Sequence, residues 1–217
     1  MRSDHYYRQV DLSTWKRREH YEVFGHGEYP YIGLTTSVDI TRLLAACAEK
    51  DRKFFNAFLY VVTRAMNGIE NFRYRIYEDE VVLLDGVDPS FNVMDKEKEL
   101  FYFAYAAYDP DFATFDARVE EAKATALAKG RLADGNNRLD VAYISCLPWF
   151  GFSDIIQPLG LSANDSIPRL VWGKYEDNGK IVTMPFSLTG HHGLFDGFHI
   201  NKLLEAMKKL LEKPDFL

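Results

Sequence analysis

Nine consecutive positions, His191-His192-Gly193-Leu194-Phe195-Asp196-Gly197-Phe198-His199, hold three of the chain's six histidines, with one acid and two glycines. They follow Ile181-Val182-Thr183-Met184-Pro185-Phe186-Ser187-Leu188, which reads as a buried strand. They precede Leu203-Leu204, Met207 and Leu210-Leu211, spaced as one face of a helix. Any fold for this chain must therefore join a strand to a helix through this loop, and such fixed junctions commonly carry chemistry. Three uses compete for it. One is a plain loop with crowded histidines. A second is a metal site, since His192, Asp196 and His199 offer nitrogen and oxygen ligands. The third is acid–base catalysis, with one histidine as base, Asp196 near it, and glycines that admit a substrate close to the backbone. His192 and Asp196 share a face only in a helix, and Gly193 and Gly197 disfavour a continuous one. No Cys pair and no His-Glu-x-x-His accompanies them, which ranks the metal below the plain loop.

Composition excludes several other classes. The net charge of −6 comes from 26 basic and 32 acidic residues that are mixed along the chain. The longest basic cluster is Lys16-Arg17-Arg18, so no basic stripe points to nucleic acid. No apolar run reaches membrane-spanning length, and no signal-peptide core opens the chain. Cys47 and Cys146 make no disulfide framework, so a reduced cytoplasmic protein is expected. With 217 residues and 47% hydrophobic content, the chain can bury a sizeable core in one large domain or two small ones.

Periodicity and turn residues divide the chain as follows. Ser13 reads as a helix N-cap and Gly25 as the stop. Residues 31–38 alternate as a strand, and Asp39 can cap a helix bearing Leu43, Leu44 and Cys47. Residues 53–67 form a second striped helix, ended by Asn67-Gly68. Residues 72–77 and 81–84 read as a hairpin, and 100–108 as an aromatic strand. A helix starts at Asp109 or Asp111 and runs to about Lys129, with Gly130 as its end. Residues 130–138, including Gly135-Asn136-Asn137, are loop-like, as are 150–167. Residues 139–147 read as a buried strand. The stretches 169–175 and 181–188 flank Asn178-Gly179, a strong hairpin signal. The last helix spans about 197–213. Early alternation of helix and strand, followed by hairpins, argues an α/β sandwich with a mixed or largely antiparallel sheet. No Gly-x-Gly-x-x-Gly and no P-loop is present.

Two further segments bear on the histidine loop. Trp15-Lys16-Arg17-Arg18-Glu19-His20 reads, by itself, as a solvated helix face. Ile144-Ser145-Cys146-Leu147-Pro148-Trp149 is, by itself, a strand end with one small polar residue. Together with His-His-x-x-x-Asp-Gly-Phe-His they resemble the chloramphenicol acetyltransferase family along essentially the whole chain. The looser His-x-x-x-Asp-Gly is shared by the wider CoA-dependent acyltransferases, including dihydrolipoamide acyltransferase cores. The resemblance implies a single domain over 1–217, built as a two-layer α/β (α+β) sandwich with helices on one face of the sheet. It implies acetyl transfer from acetyl-CoA to a hydroxyl of chloramphenicol, an antibiotic-resistance role, and no permanently bound cofactor.

The resemblance also implies roles for individual residues. His192 is the general base and His191 a structural neighbour. Ser145 stabilises the oxyanion. Asp196 pairs with Arg17 and shapes the loop, and a carboxylate so placed can be held by two parallel hydrogen bonds. No acyl-enzyme forms, so Cys146 is not a nucleophile. The protein is expected to be a homotrimer with active sites between subunits. Trp149 and Tyr175 fall on the CoA side, and Phe101 on the acceptor side. Two positions depart from the family's acceptor pocket: Phe24 stands where some members have Tyr, and Val171 where some have Thr. Both changes remove a polar contact, and a site built to bond a ligand oxygen discriminates strongly. The same chemistry on another alcohol is therefore a second expectation. A trimeric binding protein without turnover is a third.

Overall fold

The computed structural model describes residues 3–132, 138–160 and 164–217. Its strands are β1 (Tyr7–Gln9), β2 (Tyr31–Asp39), β3 (Tyr74–Tyr77), β4 (Glu80–Leu84), β5 (Asp88–Asp95), β6 (Leu100–Tyr105), β7 (Val141–Leu147), β8 (Arg169–Gly173), β9 (Glu176–Asp177) and β10 (Val182–His191). Its helices are α1 (Arg18–Phe24), α2 (Thr41–Glu49), α3 (Phe54–Asn67), α4 (Phe112–Lys129) and α5 (Gly197–Glu212).

Seven strands form the main sheet, in the order β2-β10-β8-β7-β5-β6, with β9 added on β10. The β5–β7 and β7–β8 pairs are parallel, and the rest are antiparallel. The sheet is therefore mixed and largely antiparallel, as expected. Side chains alternate across each strand. Phe91, Ile144, Leu170, Trp172, Met184, Phe186 and Leu188 join Phe58, Leu59, Val62, Leu203 and Met207 in one buried apolar cluster. The other face carries Asn92, Ser145, Arg169, Ser187 and Thr189. One face thus has the apolar surface to hold helices and the other does not. A small antiparallel sheet, β1-β4-β3, packs beside it. Arg75 of β3 is fully buried and donates to the carbonyls of Phe72, Tyr74, Leu139 and Val141, which ties the small sheet to the start of β7.

Most element boundaries fall where turn and cap residues place them. Gly130 closes α4 at φ 57°, the left-handed conformation that a Cβ makes costly. The β3–β4 hairpin is tighter than composition suggests: Glu78 (φ 50°) and Asp79 (φ 65°) make its two-residue turn without glycine or asparagine. The expected cap at Ser13 is corrected. Helix α1 starts only at Arg18, because Asp11 accepts hydrogen bonds from the Ser13 N–H, the Ser13 hydroxyl and the Thr14 hydroxyl, holding that segment in a turn. Phe72 lies in a 3₁₀ turn (Glu70–Phe72), not in the hairpin, and the aromatic strand stops at Tyr105. Strand β1 has no signal in its sequence; it forms by pairing with β4. The Gly135-Asn136-Asn137 part of the expected loop lies outside the described residues.

The start of the chain is held by a charge cluster. Buried Arg138 pairs with Asp88 (2.7 Å), Asp140 (2.8 Å) and Asp4 (3.2 Å), while His5 Nε2 lies 3.2 Å from Asp88 and its Nδ1 lies 3.3 Å from Asp85. The Asp88 hydrogen bond raises His5 above its ordinary 6.5, against the opposing effect of burial, with the charges of Asp88, Asp140 and Asp85 adding to it. A raised folded value means that His5 contributes stability fully below pH 6.5, which is lost as pH rises through that raised value. Thermal unfolding checks this: between pH 6 and 9 the midpoint of the wild type should fall further than that of His5→Ala. Parallel pH profiles would remove His5 from the clamp.

Candidate active site

The histidine loop is built around Arg17, the last residue before α1. Its side chain is almost wholly buried and has three partners. Nη1 donates to Asp196 Oδ2 (2.6 Å), Nε to the Gly193 carbonyl (3.2 Å) and Nη2 to the His192 carbonyl (3.1 Å). The expected ion pair is present, but not as two parallel bonds to the carboxylate. Arg17 spends one bond on Asp196 and two on the loop backbone, so it sets the path of the chain as well as balancing a charge.

The second oxygen of Asp196 is also engaged. Oδ1 accepts from the Phe198 N–H (3.0 Å), which caps α5, and lies 2.8 Å from His199 Nδ1. Burial pushes the Asp196 carboxyl upward, but the hydrogen bonds from Arg17 and His199 outweigh it and hold the group well below the usual carboxylate range. Burial lowers His199 below 6.5 despite Asp196 beside it. Asp196 is thus an ionised structural acceptor. Among the described residues no group of three or more His, Cys, Asp and Glu is placed to hold a metal.

His192 does not touch Asp196 in this set. Its Nδ1 lies 3.2 Å from the Phe195 carbonyl. A carbonyl can only accept, so in the neutral imidazole the hydrogen belongs on Nδ1 and the lone pair on Nε2. The ring is stacked on Phe24, with centroids 4.2 Å apart and planes at 22°. Phe24 is therefore a partner of the imidazole itself. Gly193 is needed for packing within the chain: a Cβ there would lie 2.9 Å from the Tyr21 ring and 3.1 Å from Gly25 Cα. The close fit of the loop on α1 is a packing reason for that glycine.

Ser145, Phe101 and Val171 form a second group. Ser145, near the end of β7, pairs in register with Val171 of β8, and Val171 with Ser187 of β10. Val171 is buried, with its side chain beside Ser145 on the polar face. Ser145 and Phe101 line a cavity of about 530 Å³ with Ser90, Asn92, Tyr143 and Arg169. A larger hollow, about 760 Å³, runs between β6 and α4, but it holds none of the expected site residues. Cys146 points to the helix side, and burial pushes its thiol up to about 11, which keeps it protonated and a poor nucleophile. Asn92 lies in a stretch, residues 87–93, that resembles the family, but its sequence gives it no role. Its Nδ2 donates to Ser145 Oγ at 3.0 Å, across a parallel pairing between positions 53 apart that no local pattern announces.

Trp149 and Tyr175 are exposed and lie at one end of the sheet, each two residues past the paired Leu147 and Gly173. Tyr175 meets Phe54 edge-on at 6.2 Å. Strand β10 runs antiparallel to β8, so His192, just past the end of β10, lies at the opposite end. From Ser145 to His191 the register crosses two strand spacings and four residues, about 17 Å at ~4.8 Å per strand and ~3.4 Å per residue. One chain therefore holds the histidine group and the serine group apart.

This architecture is shared with the dihydrolipoamide acetyltransferase of Azotobacter vinelandii, at TM-score 0.64 and 18% identity over 85% of this chain and 82% of that one. The fold is that of the CoA-dependent acyltransferases. A solved chloramphenicol acetyltransferase superposes at TM-score 0.82 with 27% identity, covering 95% of this chain and all of that one. Chloramphenicol acetyltransferase 2 of Escherichia coli is 32% identical over 207 residues, or 94% of this chain and 96% of that protein. Its counterpart in Haemophilus influenzae is 32% identical over 212 residues. The chloramphenicol acetyltransferase family model matches residues 5–208. The chain belongs to the chloramphenicol acetyltransferase family and is an acyltransferase.

The geometry makes Arg17 the costliest single loss in the loop. Arg17→Ala strands two backbone carbonyls and a carboxylate, at about 2–4 kcal/mol, or roughly 5–10 °C in Tm by calorimetry. Arg17→Lys should recover only part of this, because an ammonium does not reproduce the three-way grip. Wild-type midpoints in both variants would make the pairing unimportant. A lowered His199 value means stability that is present above pH 6.5 and lost as pH falls below it. His199→Asn should flatten the loss of Tm between pH 7 and 5; an unchanged slope assigns that loss elsewhere.

Proposed function

We propose that the protein transfers acetyl from acetyl-CoA directly to a hydroxyl of chloramphenicol, with His192 as general base. The observation that carries this is the Nδ1–H bond from His192 to the Phe195 carbonyl, which leaves Nε2 bare and fixed in direction. Nε2 takes the acceptor's hydroxyl proton as the oxygen attacks the thioester carbon. The new C–O bond forms and the carbonyl electron pair moves to oxygen. Ser145 donates a hydrogen bond to that oxyanion. Collapse breaks the C–S bond, and the imidazolium returns its proton to the thiolate, giving one ester and one free CoA. Asp196 and Arg17 hold the loop and take no proton. Trp149 and Tyr175 serve the CoA side, and Phe101 the acceptor cavity. CoA is a co-substrate and leaves with each turnover.

The separation of His192 from Ser145 within one chain supports a homotrimer in which His192 of one subunit meets Ser145 of the next. The whole chain, 1–217, acts as one domain. A cytoplasmic location and a role in chloramphenicol resistance complete the reading. Among the described residues no helix is long and apolar enough to cross a membrane. A second reading keeps the chemistry and changes the acceptor. Phe24 and Val171 bring apolar surface to the base and to the oxyanion group, where a hydroxyl would discriminate among acceptors.

Thiol release from acetyl-CoA, with and without chloramphenicol, tests the activity. Release that needs both chloramphenicol and His192, and that falls by at least about 10³-fold in His192→Ala, is expected. Release with other alcohols only would favour the second reading, and near-normal turnover in His192→Ala would remove it as base. Mixed refolding tests the shared site. His192→Ala and Ser145→Ala chains, each strongly impaired alone, should regain activity when refolded together, because mixed trimers contain sites with both residues intact. No recovery would place both groups in one chain.

A further inference from the structure

The serine proposed to hold the oxyanion is itself held. Parallel pairing of β5 and β7 sets Phe91 beside Ile144, so Asn92 and Ser145 come next to each other on the face away from the helices. Both line the same cavity, and Asn92 Nδ2 lies 3.0 Å from Ser145 Oγ. A serine hydroxyl has one hydrogen to donate and two lone pairs that accept. An amide N–H directed at Oγ occupies a lone pair, so the hydroxyl hydrogen must turn elsewhere. On this face, elsewhere is the cavity.

We propose that Asn92 is a positioning residue for acyl transfer: by donating to Ser145 Oγ it turns the serine hydrogen into the cavity, ready for the developing oxyanion. The inference rests on the proposed role of Ser145. Its physical content is preorganisation. A hydroxyl that rotates freely must be fixed during the reaction, and a donor already aimed stabilises charge without that reorganisation. Cooperativity adds to this, because a hydroxyl that accepts a hydrogen bond is a better donor. The amide's orientation is what matters. Were its oxygen turned toward Ser145, it would capture the hydrogen and silence the donor.

Steady-state kinetics on three variants and one double variant, with chloramphenicol as acceptor, test this. Ser145→Ala should lower kcat by about 10²-fold. Asn92→Ala should lower kcat by about tenfold and leave KM for both substrates within about twofold. Asn92→Asp, the closest match in shape, should be worse than Asn92→Ala and approach Ser145→Ala, since a carboxylate only accepts and would draw the serine hydrogen away. In the Ser145→Ala background, Asn92→Ala should cost less than about twofold. A merely structural Asn92 gives the opposite pattern: Asn92→Asp milder than Asn92→Ala, or the same loss in both backgrounds. Either result overturns the inference while leaving Ser145 in place. A wild-type kcat in Ser145→Ala instead sinks the role of Ser145, and the inference with it. Were chloramphenicol not accepted, the same series is read on the slow hydrolysis of acetyl-CoA, in which water is the nucleophile and the negative charge develops on the same carbonyl oxygen.

Discussion

A nearly buried guanidinium organises this molecule. Arg17 sits where the N-terminal segment meets the end of the main sheet, and it binds the His192 carbonyl, the Gly193 carbonyl and Asp196 together. A cation removed from water is tolerated only where acceptors surround it. The loop supplies three, and in return its backbone is fixed. Asp196 then performs two tasks with two oxygens: one faces Arg17 and the other caps α5. The loop, the helix that follows it and the helix that covers it are therefore one electrostatic unit. The close fit of Gly193 on Tyr21 and Gly25 is its steric counterpart.

Division of the sheet into two faces explains where chemistry can occur. Every second residue of the central strands joins the helices in the core. Those between them look out on the other side, and there the polar groups pair with one another. Asn92 meets Ser145, Thr35 meets Ser187, and Arg169 makes two hydrogen bonds to Asp165. Such pairing holds these side chains in fixed directions. The imidazole at the opposite end of the sheet is held by different means, a backbone carbonyl and the face of Phe24. Each group is held by its own partners, yet the backbone positions of Ser145 and of His191, next to that imidazole, lie about 17 Å apart in one chain by strand register at ~4.8 and ~3.4 Å spacings.

Local patterns were informative wherever an element is stabilised by neighbours in sequence. Helices α3 and α5 were legible from their apolar stripes, α4 from its terminal residues, and the hairpin at Asn178-Gly179 from its turn. The reading failed where a side chain had a stronger use than the local rule gives it. Ser13 looks like a helix cap, but Asp11 takes it into a turn. Strand β1 is too short to show periodicity and exists because β4 has an edge to offer. In the site, Asp196 with Arg17 was recognisable as a pair from motif resemblance, but the two carbonyls sharing that guanidinium were not. Phe24 was expected at the acceptor; its stacking on His192 follows from how α1 lies over the loop, which residue types do not encode.

The sequence alone determined the class of fold, the strand-to-helix placement of the histidine loop and the chemical types of the groups it can present. Those features depend on periodicity, turn residues and short motifs, which act over a few positions. The tertiary structure decided the rest: the lone pair of His192 through the Phe195 carbonyl, the threefold grip of Arg17 across 179 positions to Asp196, and the meeting of Asn92 with Ser145 across 53. Each is a contact between distant segments whose geometry is set by strand register and helix packing. A shift of one residue in that register would turn Ser145 toward the core, so its position on the open face is a property of the assembled sheet.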